Sequence, residues 1–119
     1  MIKIYHNPRC SKSRQGVEIL ENSKKEFEII KYLENVPSEK ELSEIIGLLN
    51  INPIELVRKN EKIWKENFKK QFENNELSDT QLIKIMVENL KLIERPIVIN
   101  KDENKAVIGR PTENILTII

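Results

Sequence analysis

Cys10 is the only cysteine of the 119-residue chain, and its neighbours are of the types that make a thiol reactive. Sulfur attacks as thiolate, and a free thiol pKa of about 8.5 falls at a helix N-terminus or beside cationic side chains. Both influences are present here. Ser11 to Glu21 holds good helix formers with Val17 and Leu20 on one face, so a helix opens at or just after Cys10. The N–H groups of Ser11, Lys12 and Ser13 are then the unpaired donors of its first turn, suited to a thiolate or an oxyanion. Ser13 adds a hydroxyl. His6 stands four residues before Cys10, where Asn7-Pro8 could fold it back towards the sulfur. A strand-end histidine satisfied by a backbone carbonyl is an equally simple reading. Arg14 faces another side of a regular helix but could reach an anion or the preceding turn. Arg9 and Lys12 can be read as solvated surface charge.

Several chemistries are excluded by what is missing. One thiol cannot form an intramolecular disulfide, and a zinc site of Cys and His would run out of ligands at Cys10 and His6, so no metal is expected. The ordinary alternative, a buried cysteine acting as a small hydrophobe, is disfavoured by the basic neighbours. Only three residues separate Cys10 from Arg14, too few to wrap a tetrahedral anion as a phosphatase loop does. In Cys10-Ser11-Lys12-Ser13 the position of a second redox cysteine is serine, so an external thiol must resolve any intermediate.

Twenty basic and nineteen acidic residues leave a net charge of +1, and no whole-molecule field for nucleic acid or anionic lipid arises. The charge is nevertheless uneven: residues 1–17 hold Lys3, Arg9, Lys12 and Arg14 and no acid. No apolar stretch approaches the ~20 residues of a membrane span, and MIKIYHNPRC has no apolar run of a secretory signal, so a cytoplasmic protein is expected. With 39% hydrophobic and 33% charged residues the chain should fold, and its length suits one domain.

The elements that must position Cys10 follow from periodicity. A strand is predicted at about residues 2–6, the helix follows Cys10, and Phe27 to Tyr32 reads as a second strand. This is a parallel crossover unit whose first loop, carrying Cys10, lies at the carboxyl end of the sheet where ligands bind. Ser38 and Glu41 form a capping box ahead of Leu42, Ile45, Ile46 and Leu49. Asn52-Pro53 starts a short helix bearing Ile54, Val57 and Arg58. Residues 59–75 predict one or two short helices or an ordered loop around Ile63, Trp64, Phe68 and Phe72. Ser78 and Gln81 cap a helix with the stripe Leu82, Ile85, Met86 and Leu90. Ile97-Val98-Ile99 and Ala106-Val107-Ile108 should pair as a hairpin, and Pro111 should open a terminal helix with Ile115, Leu116 and Ile119. The order predicts an α/β fold with one mixed sheet.

Together HNPRCSKSR, LVRKNE, ERPIVI and IGRPTE, in that order, resemble the glutaredoxin-dependent arsenate reductase (ArsC) family, which also contains the Spx-type regulators. The resemblance runs from Ile2 to Leu116 and is nearest to a short bacterial branch that ends soon after the IGRP helix. It implies one thioredoxin-like domain over residues 1–119, a mixed four-stranded sheet with a helical insertion at about 38–90. Cys10 would be the nucleophile, with Arg58, Arg95 and Arg110 gathered around it as substrate ligands. The resemblance links His6 to lowering the thiol pKa, puts Ser13 near the sulfur, and makes Pro96 a cis proline facing the site. It implies arsenate as substrate, glutathione as co-substrate, glutaredoxin as partner, and no bound cofactor, nucleic acid or membrane. Ser11-Lys12 replaces a frequent Gly-Thr, leaving the effect of the added charge on substrate choice open. Ser13 stands where Spx-type regulators carry a second cysteine.

Taken singly, each arginine has a plainer reading: Arg58 as a helix C-cap, Arg95 and Arg110 as salt-bridge partners. A hairpin returns its ends to each other, so Arg95 and Arg110 can meet through local chain geometry, whereas Arg58 needs the tertiary fold. Two other function classes stay open. One is a glutathione-dependent thiol reductase with another substrate, and the other an Spx-like module that binds RNA polymerase.

Overall fold

In the computed structural model, which describes residues 1–119, the alternation Ile2-Lys3-Ile4 forms β1 (Ile2–Tyr5), with both isoleucines buried. The helix α1 (Ser11–Asn22) follows, and β2 (Phe27–Ile30) returns parallel to β1 with Ile4 opposite Ile29. On the other side of β1 lies β3 (Ile97–Asn100), antiparallel, with Ile4 opposite Val98. β4 (Lys105–Ile108) completes the hairpin, Ile97 facing Ile108. The strand order is β2-β1-β3-β4, the predicted mixed four-stranded sheet. All four residues of β3 are buried, as an apolar run in an interior strand requires.

The chain divides into two compact units, Met1–Val36 with Arg95–Ile119, and Pro37–Glu94. The sheet unit has its core in Ile2, Ile4, Leu20, Val98, Ile115 and Ile118. Full burial of such a side chain is worth about 1.5–3 kcal/mol. The approach of α1 to this core depends on Gly16, where a Cβ would lie 3.1 Å from Ile4 Cδ1, 3.1 Å from Pro96 Cγ and 3.2 Å from Ile115 Cδ1. The C-terminal segment departs from expectation. Thr112–Thr117 is 3₁₀ rather than α, and its period of three buries Ile115 and Ile118 while Leu116 is left 58% exposed.

The helical unit begins at α2 (Glu39–Leu49), where Ser38 Oγ accepts the Glu41 N–H at 3.0 Å and Leu42, Ile45 and Ile46 are buried. A 3₁₀ turn, Pro53–Leu56, starts with the Asn52 N–H donated to Glu55 Oε2 at 2.6 Å. Two short helices, α3 (Lys62–Asn67) and α4 (Lys69–Glu73), carry buried Trp64 with the Phe68 and Phe72 rings each 6.0 Å away. α5 (Asp79–Glu88) has the predicted Ser78–Gln81 box, but Ile83 is buried where Ile85 was expected. The helix packs against both α2 and the Pro53–Leu56 turn, so its buried face widens to Leu82, Ile83 and Met86. Asn89 leaves helical geometry at φ −136°, which puts Leu90 in a separate 3₁₀ turn. The unit runs on to Glu94, past the expected boundary near residue 90, because Ile93 pairs with Val57 and the Glu94 N–H bonds Leu56 O at 2.9 Å. No helix of the chain is long and apolar enough to cross a membrane.

Candidate active site

The site is built on the turn between β1 and α1. Cys10 is the N-cap of α1, extended at φ −95° and ψ 123°; its N–H donates to Asn7 O at 3.0 Å and its carbonyl accepts the Arg14 N–H at 3.0 Å. Buried Asn7 organises the turn. Its Oδ1 accepts the Arg9 N–H, and its own N–H donates to the Oγ of fully buried Ser13, both at 3.0 Å. Ser13 therefore locks the cysteine turn onto the first turn of the helix. The sulfur-bearing residue remains part-exposed, open to a reactant on one side.

The hairpin supplies the charge. Arg95 stands before β3 and Arg110 after β4, and the Arg110 Nε donates to the Arg95 carbonyl at 2.8 Å. Arg110 Nη2 reaches the Cys10 sulfur at 3.3 Å, across 100 residues of sequence. The Gly109 N–H donates to Pro96 O at 2.8 Å, and the Arg95–Pro96 and Arg110–Pro111 peptide bonds are both cis. Pro96 lies between two glycines: Cβ atoms at Gly16 and Gly109 would come within 3.1 and 2.8 Å of its Cγ.

Burial pushes the Cys10 thiol up. The backbone N–H groups of Ser13 and Lys12, a hydrogen bond from the Arg95 side chain and the Arg110 charge outweigh it, and the pKa settles below that of an ordinary thiol. His6 is buried, and its backbone N–H donates to Ile30 O at 2.8 Å. Its pKa is lowered by burial and by the charges of Lys31 and Arg14 against the opposing Ser13 backbone, which leaves the imidazole neutral at pH 7. The groups that act on the sulfur are thus two N–H donors and two guanidiniums, while His6 answers to Lys31 and Arg14.

Among the other residues singled out from the sequence, Arg14 takes the local option and donates from Nη1 to Pro8 O at 2.9 Å. Ser11 and Lys12 have exposed side chains at the start of α1. Arg58 belongs to the helical unit, where its Nε lies 3.8 Å from both Glu61 Oε1 and Glu94 Oε1 and its N–H bonds Leu92 O. Asn7 and Gly109 were missed as site builders. Asn-Pro is a turn signal that pointed to Asn7, whereas Gly109 is explained only by its contact with Pro96 and Ile115. A thiolate flanked by donor forks and helix N–H groups can receive a tetrahedral oxyanion, because planar guanidiniums pair with two oxygens at once.

Known proteins resemble the chain over nearly its whole length. The model of the ArsC family matches residues 5–118. The chain belongs to the ArsC family. An arsenate reductase of Haemophilus influenzae is 42% identical over 117 residues, covering 98% of this chain and 97% of the relative. The uncharacterized protein YfgD of Escherichia coli K12 is 42% identical over 119 residues, covering 99% and 96%. Among solved structures, an arsenate reductase from Vibrio cholerae superposes with a TM-score of 0.88 at 42% identity, over 99% of this chain and 97% of that one. The sheet with its helices is the thioredoxin-like architecture of the ArsC family.

Proposed function

We propose that this ArsC-family protein is an arsenate reductase in which Cys10 is the nucleophile and glutathione with glutaredoxin supplies the electrons. The observation that carries the reading is the Arg110 guanidinium 3.3 Å from the Cys10 sulfur, with Arg95 also acting on that thiol to lower its pKa. Two cationic forks at a thiolate neutralise the repulsion between that sulfur and an incoming arsenate oxyanion. The names of the relatives supply the substrate.

Cys10 sulfur bonds to arsenic as one As–O bond breaks, and the oxygen leaves as water once protonated. The product is a thiol ester of arsenate, with the arginines stabilising the charge that develops on oxygen. Glutathione sulfur then bonds to the same arsenic as its As=O double bond opens and the thiol proton passes to that oxygen, after which both As–S bonds break. Arsenite departs with two added electrons, and the two sulfurs join as a Cys10–glutathione disulfide. One arsenate and two thiols thus give one arsenite, one disulfide and one water. Glutaredoxin returns Cys10 to the thiol, since the chain has no second cysteine to do so. The family resemblance adds Arg58 as a third substrate ligand and Ser13 and His6 as supporters of the thiolate, roles that belong to this proposal. The reducing cytoplasm, where glutathione is plentiful, is its proposed setting.

The test is arsenite formation from arsenate, glutathione and glutaredoxin, with Cys10→Ser as control. Turnover that disappears in the variant supports the reading. A wild-type protein that alkylates readily at Cys10 yet makes no arsenite overturns it in favour of a thiol reductase with another substrate.

A further inference from the structure

A groove of about 370 Å³ lined by Asn7, Pro8, Arg9, Lys31, Leu33 and Glu34 adjoins the cysteine turn, and the chemistry above places no reactant in it. Such a volume is within the range of small-ligand sites. β1 and β2 are parallel neighbours with Tyr5 opposite Ile30, so the loops that follow them leave the sheet side by side and form the two walls. One wall ends at the nucleophile, through the Cys10 N–H bond to Asn7 O. The other is pinned by the N–H groups of Glu34 and Asn35 on Lys31 O at 3.0 and 2.9 Å.

The lining carries two exposed cations, one exposed carboxylate and Leu33, 42% exposed. None of Arg9, Lys31 and Glu34 forms an ion pair with another or with any other residue. Charges of both signs held around one concavity without pairing match a small zwitterion. Among the reactants proposed for this site, glutathione has such an end: its γ-glutamyl residue bears an α-ammonium and an α-carboxylate. Arg9 neighbours Cys10 at a Cα spacing of about 3.8 Å, and an extended tripeptide spans about 10 Å, so its central thiol is within range of the sulfur.

We infer that this groove seats the γ-glutamyl end of glutathione, with the carboxylate on Arg9 and Lys31, the ammonium on Glu34, and the thiol directed at Cys10. The inference rests on glutathione being the co-substrate, and it is testable without arsenate. Cys10 is first converted to its mixed disulfide with 5,5′-dithiobis(2-nitrobenzoate). An added thiolate attacks that disulfide, the bond to nitrothiobenzoate breaks, and the coloured thiolate leaves with the electron pair while the new mixed disulfide forms on Cys10.

Release should saturate with glutathione and with γ-glutamylcysteine, and stay linear with cysteinylglycine and with mercaptopropionate, an anion that lacks the γ-glutamyl end. In Arg9→Gln/Lys31→Gln the half-saturating glutathione concentration should rise about ten-fold, the effect of losing one charge-assisted contact. The mercaptopropionate rate should hold within about two-fold, as expected of exposed charges acting without a bound geometry. A linear glutathione dependence in the wild-type protein overturns the inference. So does saturation by cysteinylglycine but not γ-glutamylcysteine, or an equal loss with mercaptopropionate in the variant. A failure here leaves the arsenite assay standing, and a failure of that assay leaves this measurement readable.

Discussion

Side-chain hydrogen bonds in the sheet unit reach across long stretches of chain, whereas those of the helical unit run turn by turn and its two ends are joined through backbone, Val57 with Ile93 and Leu56 with Glu94. In the sheet unit Arg110 reaches Cys10 over 100 residues, and the Asn100 side chain reaches Ile118 O over 18. In the helical unit Ser38 with Glu41, Asn52 with Glu55 and Ser78 with Gln81 are bonds over three residues. Charge follows the same division: the sheet unit has 11 basic and 8 acidic residues, the helical unit 9 and 11. In the helical unit the cations meet carboxylates, locally in Lys62–Glu66 and Arg58–Glu61 and across the unit in Arg58–Glu94. At Cys10, Arg110 donates to a sulfur and to a carbonyl. A segment whose contacts are local can be read from its own sequence. A site assembled from distant segments cannot, and it is also where a single substitution should do most harm.

The largest effect expected is from Cys10→Ser, which should reduce arsenite formation by at least about 10³-fold, since a hydroxyl is a poor nucleophile without a dedicated base. Next, Arg110→Ala should lose about 10²–10³-fold, the magnitude for removing one preorganised charge from a reacting centre. Lys12→Ala, which removes exposed charge near the sulfur, should lose far less. Arg58→Ala sharpens the comparison: a loss of about ten-fold or more, with unchanged thermal stability, would place chemistry in the helical unit as well. Equal losses in the Arg110 and Lys12 variants would break the distinction between charge aimed at the sulfur and charge merely close to it.

The thiol itself gives a measure on a smaller scale. Iodoacetamide alkylation against pH should give a midpoint below the ordinary thiol range in the wild type and move upward in Arg110→Ala, because Arg110 and Arg95 favour the thiolate. The stability consequence follows from the sign. The folded pKa is the lower one, so the stabilisation is complete above the unfolded thiol's pKa and is lost as pH falls through the folded value. The stability difference between wild type and Cys10→Ser should therefore shrink as the solution is acidified through that window. A difference that stays constant across it would remove the guanidiniums as its cause.

Much of this architecture could be read from the chain, for reasons that differ by region. The Ser78–Gln81 box, the hairpin on either side of Asn100 to Asn104 and the helix behind Cys10 are local codes, and each formed where its residues dictate. The exchange of Ile83 for Ile85 was not readable, because α5 is contacted from two directions and an amphipathic stripe describes only one. The burial of Ile118 in place of Leu116 depends on a 3₁₀ winding that period-3.6 reasoning does not anticipate. Of the site, the thiol and the pairing of Arg95 with Arg110 follow from spacing. Asn7 as organiser of the turn and the glycines against Pro96 emerge only with packing.

Glycine gives the gentlest test of the two regions, because one added methyl group should act with opposite signs. At Gly109 a Cβ would meet the stiff ring of Pro96 at 2.8 Å, and Gly109→Ala should destabilise by about 2–3 kcal/mol, near the upper range of overpacking costs. At Gly16 the three neighbours at 3.1–3.2 Å must all give way, a cost that should exceed the helix-propensity gain and leave a net loss of about 1 kcal/mol. Gly47 lies in α2 of the helical unit, exposed, with nothing within 4 Å of its would-be Cβ. There the methyl group meets no atom and only removes backbone freedom from the unfolded chain, so Gly47→Ala should stabilise by about 0.5–1 kcal/mol in urea unfolding. Arsenite formation should be unaffected by that change, while Gly109→Ala should lower it through the neighbouring Arg110. A destabilised Gly47→Ala protein would mean that the helical unit is as closely determined by distant packing as the sheet unit, and that the contrast between them is one of chemistry alone.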